Sequence, residues 1–350
     1  MSQQDIRLLN KEALKEAMLQ KGEKSFRALQ VYEWLWKKSA LSFDEMTNLP
    51  KDLRAWLQSE FVINPCKVVT EQKSADGTLK CLFELHDGKQ IEGVLIPTAK
   101  RMTACVSSQV GCSLDCTFCA TGYLKRQRNL YAYEIYDQVM VLNRLAMEHF
   151  GVGLSNIVFM GMGEPLLNYS NVLDAIRVLT EPDAWGMSAK RITVSTAGIV
   201  KMIYKLADEG IKVNLALSLH SANNTKRSEI MPINRTNSLD DLVPALTYFY
   251  EKTGNRITLE YAVMNDTNDG TQEIQELVTW ARKIPSVKVN LIEYNPIDSA
   301  HYQSPGIDKI EQFASALKNK GVLAVIRRSR GKDIDAACGQ LANKASQLGV

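Results

Sequence analysis

The segment Gly111-Cys112-Ser113-Leu114-Asp115-Cys116-Thr117-Phe118-Cys119 places three residues between its first two cysteines and two residues between its second two. With this spacing, three thiolates can wrap one loop around a single iron-sulfur cube. A [4Fe-4S] cluster normally takes four thiolates, so three ligands leave one iron open to a small molecule. The segment therefore predicts a metal site formed by Cys112, Cys116 and Cys119 that also binds a second ligand.

Structural zinc is the main alternative for these cysteines. Such sites usually contain two closely spaced cysteine pairs separated by a gap. The chain has no second pair, because its other cysteines stand singly, at Cys66, Cys81, Cys105 and Cys338. The [4Fe-4S] cluster is therefore favoured. The spacing resembles that of the radical S-adenosyl-L-methionine (SAM) enzymes, and this resemblance implies that the open iron holds the amino and carboxylate groups of SAM.

Composition indicates a soluble globular protein with an ample core. The chain has 350 residues, of which 45% are hydrophobic and 23% charged, and 42 Lys and Arg face 39 Asp and Glu. This balance is too even for net charge to indicate a nucleic-acid partner, so any basic surface must be local. No secretion signal or apolar run of about 20 residues is present. We expect a cytoplasmic protein without membrane contact, whose thiols are kept reduced.

The chain divides into four predicted units. Residues 1–60 follow a helical pattern and predict a small accessory domain, whereas residues 61–98 form β-rich runs separated by Asp76-Gly77 and Asp87-Gly88 turns. We interpret the second unit as a β-hairpin connector. Residues 99–330 would form the main α/β domain, and residues 331–350 a C-terminal segment that carries Cys338.

Strands and helices alternate through the main domain. Helical stretches such as 131–149 and 171–179 separate predicted strands at 103–109, 156–160, 191–195, 212–219, 256–263 and 287–294, and a further strand is possible at 323–327. Six βα units predict a parallel sheet. Because no Gly-x-Gly-x-x-Gly motif opens it, a partial (β/α)6 barrel is favoured over a dinucleotide-binding fold.

Polar motifs follow several of these strands, where α/β proteins place their active sites. The first is Met160-Gly161-Met162-Gly163-Glu164-Pro165, whose Gly163 and Glu164 we assign to cofactor binding. Later strands end in further hydrogen-bonding residues, namely Ser195, Ser218-Leu219-His220 and Asn295. Any one of these could instead form a helix cap or a turn, and His220 could be a core residue. Their recurrence at successive strand ends favours contacts to SAM.

Four longer motifs carry a closer resemblance. Residues 103–112, 119–122, 160–165 and 334–341 resemble the corresponding motifs of the RlmN/Cfr family of adenine methyltransferases. The similarity extends over nearly the whole chain, including the N-terminal helices. It implies a radical SAM partial barrel with a [4Fe-4S] cluster and two SAM molecules consumed per turnover.

The resemblance also implies roles for both isolated cysteines. Cys338 takes a methyl group from one SAM, and a second SAM is cleaved reductively to a radical that removes a hydrogen from this S-methyl group. The thiomethylene radical adds to carbon 2 of adenine, and Cys105 then releases the product by forming a disulfide with Cys338. Glu92 matches the family's proton acceptor, although its pattern alone predicts an exposed strand residue. Cys66 and Cys81 we interpret as buried small hydrophobes.

The partners implied by the resemblance are 23S rRNA, tRNA at the adenosine beside the anticodon, and a reducing protein or small-molecule electron donor. Three basic clusters adjoin predicted active-site segments, at 100–101, 125–128 and 327–332, and suit phosphate contacts. A solvated charged face is the alternative for each. The helix with Trp34 and Trp36 resembles the family's accessory RNA-binding module, although such tryptophans are more often core residues. Nothing in the sequence requires more than a monomer.

Two other functions remain open at this level. The first is methylation of carbon 8 of the same ribosomal adenine, as in the resistance-type branch of the family. Pro165 after Gly163-Glu164 favours the carbon-2 branch. The second is a non-enzymatic metal-binding RNA module, which would hold zinc and would not need Cys338.

Overall fold

A ten-stranded sheet runs through the protein, and the computed structural model describes residues 3–343 of the chain. The end of the predicted C-terminal segment, residues 344–350, lies outside the described residues, as do residues 1 and 2. The helices are α1 (Lys11–Gln20), α2 (Phe26–Trp36), α3 (Lys51–Glu60), α4 (Ala132–Phe150), α5 (Tyr169–Thr180), α6 (Val200–Asp208), α7 (Asn224–Ile230), α8 (Leu239–Thr253), α9 (Thr271–Ala281) and α10 (Ile307–Asn319). The strands are β1 (Gln4–Asp5), β2 (Phe61–Val62), β3 (Lys67–Lys73), β4 (Leu79–Glu84), β5 (Gln90–Thr98), β6 (Arg101–Cys105), β7 (Gln109–Val110), β8 (Arg128–Asn129), β9 (Asn156–Phe159), β10 (Ile192–Thr196), β11 (Asn214–Ser218), β12 (Ile257–Val263), β13 (Val287–Glu293) and β14 (Ala324–Arg327).

Seven parallel strands form the barrel part of the sheet. Their spatial order is β6-β9-β10-β11-β12-β13-β14, and every neighbouring pair is parallel. This arrangement confirms the predicted α/β partial barrel. Its seventh strand, β14, is the further strand expected at 323–327. The chain order of the strands equals their spatial order, so their carboxyl ends form one continuous rim.

The first barrel strand is shorter than predicted. It ends at Cys105 instead of continuing to residue 109. The Val106 amide still donates to Val158 of β9 at 3.0 Å, but the chain leaves the sheet at Ser107. The Ser107 amide donates to Gln138 at 2.8 Å, and the Ser107 hydroxyl donates to the carbonyl of Glu92 at 2.6 Å. Gln109–Val110 then pairs with β8. The chain is thereby redirected toward the cysteine loop.

The connector is continuous with the barrel sheet. Strands β3, β4 and β5 form two successive antiparallel hairpins, and β5 pairs with β6. Gly77 and Gly88 have φ values of 87° and 75° in the two turns, which glycine adopts without strain. The connector is therefore one strand longer than a single hairpin.

The N-terminal helices pack on α4 and share the apolar core of the barrel. Ala28, Val31 and Leu35 are buried on one face of α2, as the helical spacing predicts. Trp36 is also buried, with its ring edge-on to Tyr136 of α4 at 5.0 Å. Within residues 3–343, no helix is both long enough and apolar enough to cross a membrane.

Candidate active site

The cysteine loop leaves β7 and lies over the carboxyl ends of the barrel strands. A side chain at Gly111, where φ is 75°, would place its Cβ 2.4 Å from the carbonyl oxygen of Lys125, so only glycine fits there. The amide of Cys112 donates to Leu124 at 3.0 Å, and the amide of Thr117 donates to Ile230 at 3.1 Å. Backbone bonds on both sides thus fix the path of the loop.

All three cysteines of the loop line one cavity at this rim. The cavity encloses about 970 Å³, open solvent at its mouth included. Its wall also contains strand-end residues from six barrel strands and the C-terminal segment, among them Gly163, Glu164, Ser195, Ser218, His220, Asn295 and Cys338. The structure therefore brings together six of the seven residues assigned to SAM from the sequence.

The seventh, Leu219, lies behind the wall. Its side chain is fully buried and does not line the cavity. Its backbone amide donates to the carbonyl of Glu260 at 2.9 Å. Its carbonyl accepts from Arg227 at 3.1 Å. Leu219 thus supports the strand end instead of facing the cavity.

The three loop thiols can serve together as ligands of an iron-sulfur cube. All three line the same cavity. Burial raises the pKa of Cys112 to about 11 and raises that of Cys116 well above its ordinary value. Three thiolates can hold three irons of a [4Fe-4S] cluster, and the cavity leaves room beside them for a ligand on the fourth.

A buried positive charge beside the loop supports the same fit. The side chain of Arg227 is fully buried and donates to four neutral oxygens, on Ala197, Ser218, Leu219 and Asn234, at 2.7–3.1 Å. Burial lowers the pKa of Arg227 to about 10, and the Cys116 thiol counteracts this effect. Three thiolates around a [4Fe-4S] core would supply the negative charge that Arg227 lacks.

Glu164 is held at the cavity by the turn that follows β9. At Gly163, where φ is 92°, a Cβ would lie 2.5 Å from Gln109, so the turn requires glycine. The Glu164 carboxylate accepts the amides of Leu166 at 3.0 Å and Ala197 at 2.7 Å. Burial nevertheless raises the pKa of Glu164 to about 7. This carboxyl is suited to an ammonium group such as that of SAM.

His220 presents a neutral imidazole to the cavity. Its Nδ1 accepts the amide of Ala262 at 2.9 Å, so the proton of the neutral ring is on Nε2. Burial lowers the pKa of His220 to about 3, and the ring lies against Phe118 at 4.5 Å. His220 therefore offers one fixed donor and no charge.

Several polar atoms of this wall have no hydrogen-bond partner among the described residues. They are Glu260 Oε2, the Tyr294 hydroxyl and Asn295 Oδ1. Glu260 Oε2 still has an ion-pair partner, Arg327 at 3.6 Å. The other two atoms are buried and unpaired, which is costly, so they favour a polar ligand here. Sequence reasoning missed Glu260, although a carboxylate within the apolar strand β12 is a usable signal. It also missed Arg227, for which no local signal exists.

A second cavity adjoins the first, and eight residues line both, among them Cys119 and Cys338. The second cavity is lined by Cys105, Arg101, Arg328 and Arg330, and both cavities are lined by Cys338 and Arg327. Burial raises the pKa of Cys105 to about 12. Cys338 raises the pKa of Arg327 above its ordinary value. Both cysteines are free thiols in this structure.

The predicted basic clusters differ in where they lie, and much of their charge is paired. Two of them, at 100–101 and 327–332, contribute arginines to the second cavity, although Arg328 pairs with Glu311 at 3.2 Å and Arg330 with Asp76 at 3.8 Å. In the third, Arg128 is paired internally with Asp87 and Glu134, both at 2.7 Å. Only Lys125 and Arg126 of that cluster remain exposed without an ion pair among the described residues.

Glu92 occupies a different environment from the other candidate residues. It lines neither cavity. Its side chain is 1% exposed and pairs with Lys80 at 3.2 Å, so the exposed strand position expected from its pattern is wrong. The sheet is covered here by the C-terminal segment, which a local pattern cannot predict.

Known protein families match both the N-terminal domain and the barrel domain of the chain. The family model described as the radical SAM superfamily matches residues 106–281, and the ribosomal RNA large subunit methyltransferase N-terminal domain matches residues 4–63. A protein from Cytophaga hutchinsonii, named probable dual-specificity RNA methyltransferase RlmN, is 56% identical over 339 residues, which cover 97% of this chain and 93% of that protein. A Streptococcus pneumoniae protein of the same name is 45% identical, with 96% and 94% covered. The crystal structure of a radical SAM methyltransferase from Sphaerobacter thermophilus superposes with a TM-score of 0.91 at 41% identity, covering 97% of this chain and 99% of that one.

Proposed function

Because this chain belongs to the RlmN family of radical SAM RNA methyltransferases, we propose that it methylates carbon 2 of adenine in 23S rRNA and in tRNA at position 37. One observation supports this proposal above the others. Cys338 lies on the wall shared by two cavities, one with the cluster cysteines and SAM residues, the other with Cys105 and four arginines. A cysteine so placed can receive a group on one side and pass it to a substrate on the other.

Cys112, Cys116 and Cys119 would hold the [4Fe-4S] cluster, and Gly163, Glu164, Ser195, Ser218, His220 and Asn295 would hold SAM beside it. When bound, this pair supplies a carbon radical able to remove a hydrogen atom from an S-methyl group. The buried Glu164 carboxylate would pair with the SAM ammonium group. His220 Nε2–H and the unpaired oxygen of Asn295 would orient the rest of the molecule.

Cys338 serves as the relay for the methyl group. Carbon 2 of adenine has no lone pair to displace a methyl group from a sulfonium, whereas a thiolate can. The Cys338 sulfur takes the methyl group from one SAM, leaving S-adenosylhomocysteine. Its backbone is held for this step, since Asn295 donates to the Cys338 carbonyl at 3.2 Å and Ala120 donates to Gly339 at 2.7 Å.

Cys105 completes the cycle from the second cavity. After the thiomethylene radical has added to carbon 2, the adduct would lose the carbon-2 proton and return one electron to the electron-donor chain. The Cys105 thiolate then attacks the Cys338 sulfur, and the electron pair of the broken carbon–sulfur bond passes to the methylene carbon, which takes up a proton to become the methyl group. A disulfide between Cys105 and Cys338 results, and two electrons from a reducing protein or small molecule restore both thiols. The raised pKa of Cys105 means that this attack requires deprotonation, which the nearby Arg327 charge favours. Glu92 would accept the proton that leaves carbon 2.

Arginines around the second cavity would receive the RNA. A base within folded RNA must be unstacked before it can enter a pocket, at a cost of a few kcal/mol. Arg101, Arg328 and Arg330 line the cavity that contains Cys105. Phosphates beside an extruded adenine would contact Arg101 and would compete with Glu311 and Asp76 for Arg328 and Arg330.

Mass spectrometry of digested RNA after incubation with the reconstituted enzyme tests the proposal. We expect 2-methyladenosine in 23S rRNA and in tRNA, whereas 8-methyladenosine as the main product would contradict it. Cys105→Ala should accumulate a covalent protein–RNA adduct, and Cys338→Ala should form none. Equal turnover by these two variants would exclude the two-cysteine route.

A further inference from the structure

We propose that Glu92, together with Lys80, is a positioning residue for Cys338. In this proposal the pair clamps the C-terminal segment onto the connector strands and so fixes Cys338 between the two cavities. The functional meaning of the clamp rests on the proposed function, because it assumes that Cys338 carries the methyl group. The clamp itself can be tested without any reaction.

The Glu92 carboxylate binds the segment that follows Cys338. Its Oε2 accepts the backbone amides of Ala342 at 2.8 Å and Asn343 at 3.1 Å, and its Oε1 lies 3.2 Å from Lys80 Nζ. The Asn343 side chain also donates to the carbonyl of Gln90 at 2.8 Å. A single carboxylate on β5 therefore holds two consecutive amides of a segment 250 residues away.

Other connector residues hold the segment that precedes Cys338. Lys80 Nζ donates to the carbonyl of Asp335 at 3.4 Å, so one lysine contacts both the carboxylate and the segment. The carboxylate of Asp333 accepts the Ser74 hydroxyl at 2.5 Å and the Ala75 amide at 3.0 Å. The connector thus forms hydrogen bonds with the C-terminal segment both before and after Cys338.

Burial makes these contacts depend on one another. Glu92 is 1% and Lys80 5% exposed, and a buried charge is tolerated only when it is paired and hydrogen-bonded. If the segment left, Glu92 would lose two charge-assisted hydrogen bonds, and such bonds are stronger than neutral ones. Docking of the segment and burial of the ion pair therefore support each other.

This arrangement also separates two tasks of one carboxylate. While the segment is docked, both Glu92 oxygens are engaged, and the residue reaches neither cavity. In this state Glu92 positions Cys338 for methyl transfer from SAM. To accept the proton from carbon 2, the carboxylate must first be released from the amides of Ala342 and Asn343.

Hydrogen exchange of the reconstituted enzyme tests the clamp directly. Glu92→Ala should speed exchange of peptides spanning 331–343 at least tenfold, with the Ala342 and Asn343 amides most affected. Glu92→Gln keeps an acceptor oxygen but leaves Lys80 without its counter-charge, so it should speed exchange less than Glu92→Ala does. Glu71→Gln is the matched control, because Glu71 lies on β3 and pairs with His149 instead of the segment. Unchanged exchange in Glu92→Ala would overturn the proposal.

Methylation of Cys338 by SAM in the absence of RNA distinguishes positioning from proton transfer. This half-reaction needs no proton acceptor for carbon 2, so a base-only role for Glu92 predicts full methylation in every Glu92 variant. Positioning predicts at least a tenfold slower rate in Glu92→Ala and a smaller decrease in Glu92→Gln, as read from the mass of the Cys338 peptide. Absence of the methyl group in the wild type would refute the proposed function, while hydrogen exchange would still decide on the clamp.

A second variant covers the case in which Glu92→Ala does not fold. Asp333 is exposed, so Asp333→Ala removes the contacts to Ser74 and Ala75 without opening the core. We expect severalfold faster exchange over 331–335 and partial loss of Cys338 methylation. Wild-type exchange and methylation in this variant would contradict the proposal.

Discussion

Arg7, beside the N-terminal helices, and Arg227, beside the cysteine loop, are both buried arginines, but their partners differ. Arg7 contacts the carboxylates of Asp5 at 3.0 Å and Asp137 at 2.7 Å. Burial alone would lower the pKa of Arg7, yet the two carboxylates raise it above its ordinary value. Arg227 contacts only neutral oxygens among the described residues, and burial lowers its pKa.

The difference separates scaffold from site. A charge that only holds elements together is neutralised within the chain, as Arg7 is when it joins β1 to α4. Two charges at the cavity lack such partners: Arg227 contacts no carboxylate, and the Glu164 carboxylate accepts backbone amides and contacts no cation. Because folding alone leaves these two charges uncompensated, we infer that bound ligands would complete the charge balance of the site.

The largest effect is expected from removing the scaffold charge. Arg7→Met would leave the buried Asp5 and Asp137 without their cation, which costs about 3–5 kcal/mol of unfolding free energy. Urea unfolding followed by circular dichroism measures this loss. A loss below about 1 kcal/mol would show that the ion pairs of Arg7 contribute no more to stability than solvent-exposed pairs do.

Removing the site charge should cost less stability but change the cluster. Arg227→Gln leaves some of the four oxygens that Arg227 contacts without a donor, which should lower the unfolding free energy by about 1–3 kcal/mol. Loss of positive charge beside Cys116 should also make the reduction potential of the cluster more negative. A redox titration followed by electron paramagnetic resonance measures the shift, and Arg227→Lys, which keeps the charge, is the control. Equal potentials in the Gln and Lys variants would contradict this role.

The uncompensated Glu164 predicts a pH dependence of SAM binding. Because burial raises the pKa of Glu164 to about 7, the neutral acid predominates below that pH and the carboxylate above it. If the carboxylate binds the SAM ammonium group, affinity should fall about tenfold from pH 8 to pH 6. Isothermal titration calorimetry at both values measures it. Glu164→Gln should bind weakly with no such slope, and a slope retained in that variant would assign the titration to another group.

The smallest effect is expected from an exposed ion pair. Arg144 and Glu148 lie 3.9 Å apart on α4, and both side chains are more than half exposed. Arg144→Ala should change the unfolding free energy by less than about 0.5 kcal/mol, because solvent screens such pairs. The same urea experiment provides the baseline for Arg7→Met. A loss of unfolding free energy above about 2 kcal/mol in Arg144→Ala would show that burial does not explain the difference between the Arg7 and Arg144 ion pairs.

Much of the fold could be predicted because hydrophobic periodicity is a local property. The strands of the partial barrel and the buried face of α2 follow from spacing alone. The early end of β6 at Cys105 could not be predicted, since it depends on hydrogen bonds from Ser107 to residues on β5 and α4. The parallel pairing of β1 with β2 was missed, because two-residue strands carry no periodic signal.

The candidate site divides in the same way. Three cysteines within one loop, and the turn around Gly163 and Glu164, are recognisable because the chemistry requires those residues at short spacing in the chain. The cavity-facing side of Ser195, Ser218, His220 and Asn295 also follows from the rule that parallel strand ends share one rim. Whether these residues act as assigned remains a prediction.

Contacts between distant segments were decided only by folding. The position of Cys338 between two cavities, the missing counter-charge of Arg227 and the burial of Glu92 under the amides of Ala342 and Asn343 join parts of the chain that carry no mutual signal in sequence. Local spacing is sufficient to define a metal-binding loop, since its ligands are neighbours along the backbone. Burial and charge compensation depend on what covers a residue in three dimensions, and the covering segment can be 250 residues away.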